Sequence, residues 1–278
     1  MARWIIDTPD SLTFDGVVAL RIRLVSGSVA VLAAEDSPRI DVESVNGQPL
    51  LVTHEAGILT VTYEDMTLDG VLGWLRPQRH SASIAITVPK ECPTQLGVVN
   101  AAAVVSGMSA RTSLKSVSGG ITMDGVTGNV DANTVSGDLE AQDVEGEVAF
   151  KSVSGDLTIA GGSLRRLDAK TVSGRITADV DIAPSASLQA ASVSGDVAVR
   201  LPATVSARVD LRSASGRVES AFDGLADTRK PGSTSVAGTL GSGDGRLSVS
   251  TMSGTVILLR RTPPAGQERS RVGTEEAR

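Results

Sequence analysis

Seven serines precede a glycine at nearly constant intervals, Ser118, Ser136, Ser154, Ser173, Ser194, Ser215 and Ser253, and each has Ser or Thr two residues earlier. A hydroxyl repeated in this way could serve nucleophilic catalysis if a base and an orienting acid stood beside it. The chain has only two histidines, His54 and His80, both before the repeats, so a triad is not expected. Stacked hydroxyls can instead hydrogen-bond along a repeat axis and satisfy turn amides.

The residue after the glycine is charged in five copies, Asp138, Asp156, Arg175, Asp196 and Arg217. From Asp156 onward the sign alternates, which predicts a surface ladder of opposite charges worth about 0.2–1 kcal/mol per pair. A sharper reading makes adjacent Asp138 and Asp156 a cation or sugar site; the ladder is preferred. Calcium-binding β-rolls carry a G-G-x-G-x-D pattern, whereas this chain has single Ser-Gly-Asp triplets, so no metal site is expected. Glycosidases need two carboxylates at a defined separation, usually with aromatic subsites, yet the repeats hold only Phe150 and Phe222. The sequence contains no H-E-x-x-H, no G-x-x-x-x-G-K-[ST] and no Cys/His cluster. No catalytic or cofactor-binding residue is therefore assigned, no cofactor is expected, and the chain is read as not being an enzyme.

What must position these residues is a repeat. Aligned on the glycine, the chain reads LKSVSGGITM from Leu114, ANTVSGDLEA from Ala132, FKSVSGDLTI from Phe150, AKTVSGRITA from Ala169, AASVSGDVAV from Ala190, LRSASGRVES from Leu211 and VSTMSGTVIL from Val249. A looser copy surrounds Gly107. The glycines at 119, 137, 155, 174, 195 and 216 are 18, 18, 19, 21 and 21 residues apart, and Gly128 and Gly146 fall halfway. Each repeat is thus two short strands and two turns, too small to close its own core, and must stack on its neighbours. Leu139 and Ala141, Leu157 and Ile159, Ile176 and Ala178, Val197 and Val199 share one parity, which predicts the inward face. The period is too short for a propeller blade, and a sandwich has no reason to repeat its sequence. The fold class is all-β: a single-stranded β-helix, or β-solenoid, with a divergent β-rich N-terminal part. About eight coils at ~4.8 Å each would make a rod of about 40 Å.

Composition agrees. Hydrophobic residues are 41% but aromatics only 2%, so the core is built from Val, Ile, Leu and Ala in thin layers. Glycine, at 29 residues, signals many turns. A net charge of −6 with six scattered aromatics excludes a general nucleic-acid partner. Cys92 is alone, so no intramolecular disulfide forms. No run of 18 apolar residues predicts a membrane span. The opening MARWIIDTPDSLTF meets Asp7, Pro9 and Asp10 before an apolar run long enough for a signal, and a cytoplasmic protein is expected.

Three segments follow. Residues 1–96 lack clear repeats but read as strands at 17–24, 28–33, 40–45, 50–54, 58–63 and 84–88, forming a β-rich part or cap; 97–260 are the solenoid; 261–278 are polar, proline-bearing and expected to be disordered. Between Glu64 and His80, Leu72, Trp74 and Leu75 are unusually apolar for a loop. They either tuck over the end of the core or form a partner contact. The long step from Gly216 to Gly254 predicts an inserted loop and then a strand at 246–250.

The recurring [ST]-V-S-G-[DR]-[VIL] units, preceded by a β-rich half ending in Ile84-Ala85-Ile86-Thr87-Val88-Pro89, resemble the bacterial putative-adhesin family of β-strand-repeat proteins over roughly residues 12–259. The resemblance implies this fold and a domain of unknown function. The leading functional expectation is a non-enzymatic scaffold or protein-interaction module. The alternatives are end-to-end self-assembly resembling bactofilins, and an adhesin-like carbohydrate-binding role at the cell envelope. The expected partner is a protein or a second copy, with carbohydrate the other ligand class considered.

Overall fold

Alternation after each glycine turns one parity inward, and the residues chosen on that basis are buried: Leu139, Leu157, Ile176 and Val197 have no accessible surface, and Ala141, Ile159, Ala178 and Val199 at most 4%. The computed structural model describes residues 2–63 and 80–262, in which every regular element is a strand. The N-terminal part holds β1 (Ala2–Ile6), β2 (Asp10–Thr13), β3 (Ala19–Ala33), β4 (Arg39–Asn46), β5 (Leu50–Glu55), β6 (Ile58–Tyr63) and β7 (Ser81–Val88). Next come β8 (Thr94–Ser106), β9 (Thr112–Ser116), β10 (Ile121–Asp124), β11 (Thr127–Thr134), β12 (Leu139–Gln142), β13 (Glu145–Lys151), β14 (Leu157–Thr171) and β15 (Ile176–Ser192). The rest are β16 (Val197–Pro202), β17 (Ala207–Ser213), β18 (Val218–Ser220), β19 (Ala226–Lys230), β20 (Ser233–Leu240), β21 (Gly245–Thr251) and β22 (Val256–Arg261).

Two parallel ladders run the length of the stack. In the first the order is β7, β3, β8, β10, β12, β14, β15, β16, β22, β18. In the second it is β6, β3, β8, β9, β11, β13, β14, β15, β21, β17. The long strands β3, β8, β14 and β15 serve both. One apolar cluster runs from Ile6 to Leu258 between the ladders, so strands before and after residue 96 share a core. Antiparallel pairing closes one end, β2 on β4 on β7 and β1 on β5 on β6, and at the other covers the second ladder, β19 on β20 on β17, while β18 pairs with β22 alone. The architecture is all-β and β-solenoid-like.

Three features differ from expectation. The strands expected at 17–24 and 28–33 form the single β3, because Gly27, at φ +106°, bends the chain from one ladder to the other without ending the strand. The insertion after Gly216 is the antiparallel pair β19 and β20 laid on β17. Arg261, placed in the tail by sequence, closes β22 and pairs with Asp179 and Asp181 of β15.

The fourth difference is topological. The coil of β17 and β18 does not stack on the coil before it in sequence. The last coil, β21 and β22, pairs on one side with β15 and β16 and on the other with β17 and β18. The chain therefore builds its outermost coil first, adds the capping hairpin, and returns to fill the layer between.

Candidate functional site

The Ser/Thr-Val-Ser-Gly units form one corner of every coil, where the second ladder hands over to the first. None of their glycines has a positive φ. Glycine is required here by packing: a Cβ on Gly137, Gly155, Gly174 or Gly195 would lie 1.9–2.3 Å from the carbonyl oxygen of the equivalent glycine one coil back. The glycines thus stack backbone on backbone, a role different from the turn conformation expected of them. Beyond Gly195 the column continues to Gly254 and then Gly216, following the interleaved order.

Two hydroxyls surround each glycine. From Gly155 onward the inner one, three residues earlier, accepts the glycine N–H: Ser152 from Gly155 at 2.7 Å, Thr171 from Gly174 at 3.0 Å, Ser192 from Gly195 at 2.8 Å, Ser213 from Gly216 at 2.9 Å and Thr251 from Gly254 at 3.1 Å, whereas Ser116 donates to the Gly119 carbonyl and Thr134 to the Ser152 hydroxyl. The outer serines donate to a carbonyl of the neighbouring coil, as Ser136 does to Val117 and Ser173 to Val153. These hydroxyls satisfy backbone groups along the axis.

The residues after the glycine do not pair as charges. Asp138 Oδ1 accepts the N–H of Asp156 at 2.8 Å, Asp156 Oδ1 that of Arg175 at 2.7 Å, and Asp196 Oδ1 that of Thr255 at 2.7 Å. Each carboxylate caps a main-chain donor that the corner leaves outside the ladder. Arg217 is separated from Asp196 by the intervening last coil, which breaks the expected alternation. The Asp138 and Asp156 pair is committed to the same capping.

Sequence reading passed over the valine of the motif. Val135, Val153, Val172 and Val193, with Met252 next in the stack, are 44–61% exposed. Each donates its N–H to the coil before it, at 3.1–3.2 Å, so the five side chains form a continuous ridge down the corner. The signal was legible: Val135 continues the outward parity of Asp131 and Asn133, where a polar residue is expected. A contiguous exposed apolar stripe of a few hundred Å² is the scale at which a monomer's surface patch is often functional.

The opposite corner takes up the longer repeats. There Asp181, Pro184, Pro202, Thr204, Asp244 and Arg261 line an open cleft of about 530 Å³. Its charged groups are partnered, Arg261 with Asp181 and Asp179, and Asp244 with Ser206 and Ser242. Hydrogen bonds from the Arg200 guanidinium, then from Arg261, hold the Asp179 carboxyl below the usual carboxylate range, and Ser242 and then Ser206 do the same for Asp244. Among the described residues no three His, Cys, Asp or Glu side chains converge, and no helix is long and apolar enough to cross a membrane. Leu72, Trp74 and Leu75 lie outside the described residues.

Cys92 is buried beside Pro93. Desolvation pushes its thiol up to about 11, and since only the thiolate is nucleophilic, it is held inert near neutral pH. A thiol reagent at pH 8 is expected to label the native protein at least about 100-fold more slowly than the urea-unfolded chain. Comparable rates in the two states would refute the burial.

A stack of short parallel strands with one glycine column at a shared corner defines a β-solenoid-like repeat protein. The chain belongs to the Toastrack DUF4097 family, whose model matches residues 17–259. No curated protein matches it. Among solved structures it is similar to a putative adhesin from Bacteroides fragilis NCTC 9343, with 13% identity, 91% of this chain and 97% of that chain covered, and a TM-score of 0.38. It is also similar to a putative lipid binding protein from Parabacteroides distasonis ATCC 8503, with 15% identity, 91% and 97% covered, and a TM-score of 0.33. A third similar structure is a putative cell adhesion protein from Clostridium sporogenes ATCC 15579, with 11% identity, 91% and 100% covered, and a TM-score of 0.24.

Proposed function

We propose that this protein is a non-enzymatic scaffold, a single-stranded β-helix that docks a protein partner along the ridge of Val135, Val153, Val172, Val193 and Met252. The observation that carries this reading is the ridge itself. One apolar side chain per coil from Val135 to Met252 is held in water while the hydroxyls beside it are spent on the backbone or, at Thr134, on a neighbouring serine, so the corner offers apolar contact. A rigid row of side chains spaced by about 4.8 Å suits an extended or helical segment laid along it.

End-to-end assembly of the bactofilin kind is less supported, because antiparallel strands cap one end and the β17 side of the other, and the outer strand β19 is fully exposed and charged at Asp227, Arg229 and Lys230, a pattern that blunts edge pairing. A carbohydrate role draws little support from Phe150 and Phe222, since both are buried. The lone cysteine, kept as a buried thiol, fits a reducing cytoplasm.

The test is affinity capture from the native cell with the full chain and with a Val153→Lys, Val172→Lys, Val193→Lys variant. A partner retained by the first and lost by the second is expected. Recovery of the same partner by both, or of none above background by either, would overturn the proposal.

A further inference from the structure

The two ladders present their outward parities as two broad faces, and these carry opposite charge. On the second ladder, cross-strand register aligns Asn129, Glu147, Arg166, Ser187, Arg246 and Arg208 in one column. A second column runs Lys115, Asn133, Lys151, Lys170 and onward to Arg212. Lys170 and Arg212 are neutralised within their own strands by Asp168 and Asp210. Arg111, Lys115, Lys151, Arg166, Arg208 and Arg246 are exposed and make no ion pair with a described residue; the uncompensated acids among them are Asp131, Glu145 and Glu147.

The first ladder has the reverse pattern. Its columns, and the position before each strand, hold Asp124, Asp138, Glu140, Asp156, Asp196 and Glu219, none of them in an ion pair with a described residue. Against them stand Arg175 and Arg217, while Arg200 is paired with Asp179. One face therefore carries a net positive charge and the other a net negative one. Arg246 and Arg208 are direct cross-strand partners with no acid between them, an arrangement that costs energy in an isolated sheet. They adjoin an open groove with Ser187, Ser242 and Asp244, and a second groove lies among Arg111, Asn129 and Arg166 with Asp131 and Glu147.

We propose that the basic face is a docking surface for the acidic face of a second copy of this chain. Both faces place their charges in coils spaced by about 4.8 Å, the basic face in those of β9, β13, β14, β21 and β17 and the acidic face in those of β10, β12, β14, β16 and β18, so charged positions on one can meet charged positions on the other along the stack. Seven strands by about five residues give a contact of roughly 600 Å² per copy, or about 1,200 Å² in total, the low end for a specific interface. Such a contact is weak, reversible and governed by screening. Because the two surfaces differ, the contact is heterologous and leaves a basic face free on one copy and an acidic face on the other, so further copies can add side by side. This goes beyond the ridge reading and does not rest on it.

The experiment is sedimentation velocity on the purified full chain at tens of micromolar. In about 20 mM salt, species larger than monomer are expected to grow with concentration; at 0.5 M salt, where the screening length is only a few Å, the monomer is expected. Two variants, checked for unchanged thermal melting, isolate the faces: Lys115→Glu, Lys151→Glu, Arg166→Glu on one, and Asp124→Lys, Glu140→Lys, Glu219→Lys on the other. Each alone is expected to be monomeric in low salt, and a one-to-one mixture to associate again. The ridge variant should associate like the natural chain. A monomer in low salt, association indifferent to salt or to either charge reversal, or a mixture that stays monomeric would each overturn the proposal. So would a low-salt monomer that instead sediments with phosphatidylglycerol vesicles, which would assign the basic face to a lipid surface.

Discussion

Replacing Gly119 by Ala is expected to destabilise the protein by about 3 kcal/mol or more, while the same change at Gly120 leaves stability unchanged or raises it by up to about 1 kcal/mol. The two residues are adjacent and have the same covalent structure; their surroundings separate them. A Cβ on Gly119 would lie 1.9 Å from the carbonyl oxygen of Ala101 and 2.7 Å from its carbon, and both are backbone atoms held by the ladders. Relief requires the coil to move by more than an ångström, against strands spaced at about 4.8 Å by their hydrogen bonds. Gly120 has nothing within 4 Å of the same position and no positive φ, so a methyl there reduces only the freedom of the unfolded chain. Urea unfolding of both variants at equal m-value measures the difference. Equal midpoints would show that the glycine column is not a close contact.

The interleaved last coil leads to the second large effect. Val249 of β21 sits between Ala190 of β15 and Leu211 of β17 and is almost fully buried. Val249→Asp places a carboxylate in that layer without a partner and is expected to cost at least about 4 kcal/mol. Ser248→Asp, at the outward parity between Gln189 and Asp210, should cost under about 1 kcal/mol. Stability in a stack passes from neighbour to neighbour, so the damage should spread outward to β17 and β20, which precede Val249 in sequence. Native-state hydrogen exchange should show lost protection there and retained protection in β9, β11 and β13. If coils stacked in chain order, β17 would keep its place on β15 and stay protected, and that result would refute the interleaving.

The repeat was legible because its causes are local. A glycine every 18 to 21 residues, an apolar residue at every second position and a hydroxyl three residues before each glycine are properties of a single coil. They sufficed to identify the all-β fold, the inward residues from Leu139 to Val199 and the hydroxyls' attachment to the backbone. Val135 and its equivalents could have been read the same way, since an apolar residue kept at a polar parity is visible without coordinates.

What escaped the sequence depends on which coil lies next to which. Equivalent repeats are nearly interchangeable, so no residue in LRSASGRVES or VSTMSGTVIL states that the second is stacked inside the first. That order decides whether Arg217 meets Asp196 or Thr255, and it cancelled the alternating charge ladder. It also brought Arg261 back to Asp179 and Asp181. The opposite sign of the two faces is likewise a property of the stack: Arg166, Arg246 and Arg208 are far apart along the chain and become one column only through register. The sequence by itself determined the coil, through side-chain parity and backbone sterics that act within about twenty residues. Only the tertiary structure decided the order of the coils, because their mutual contacts are backbone on backbone, and one glycine column fits any other equally well.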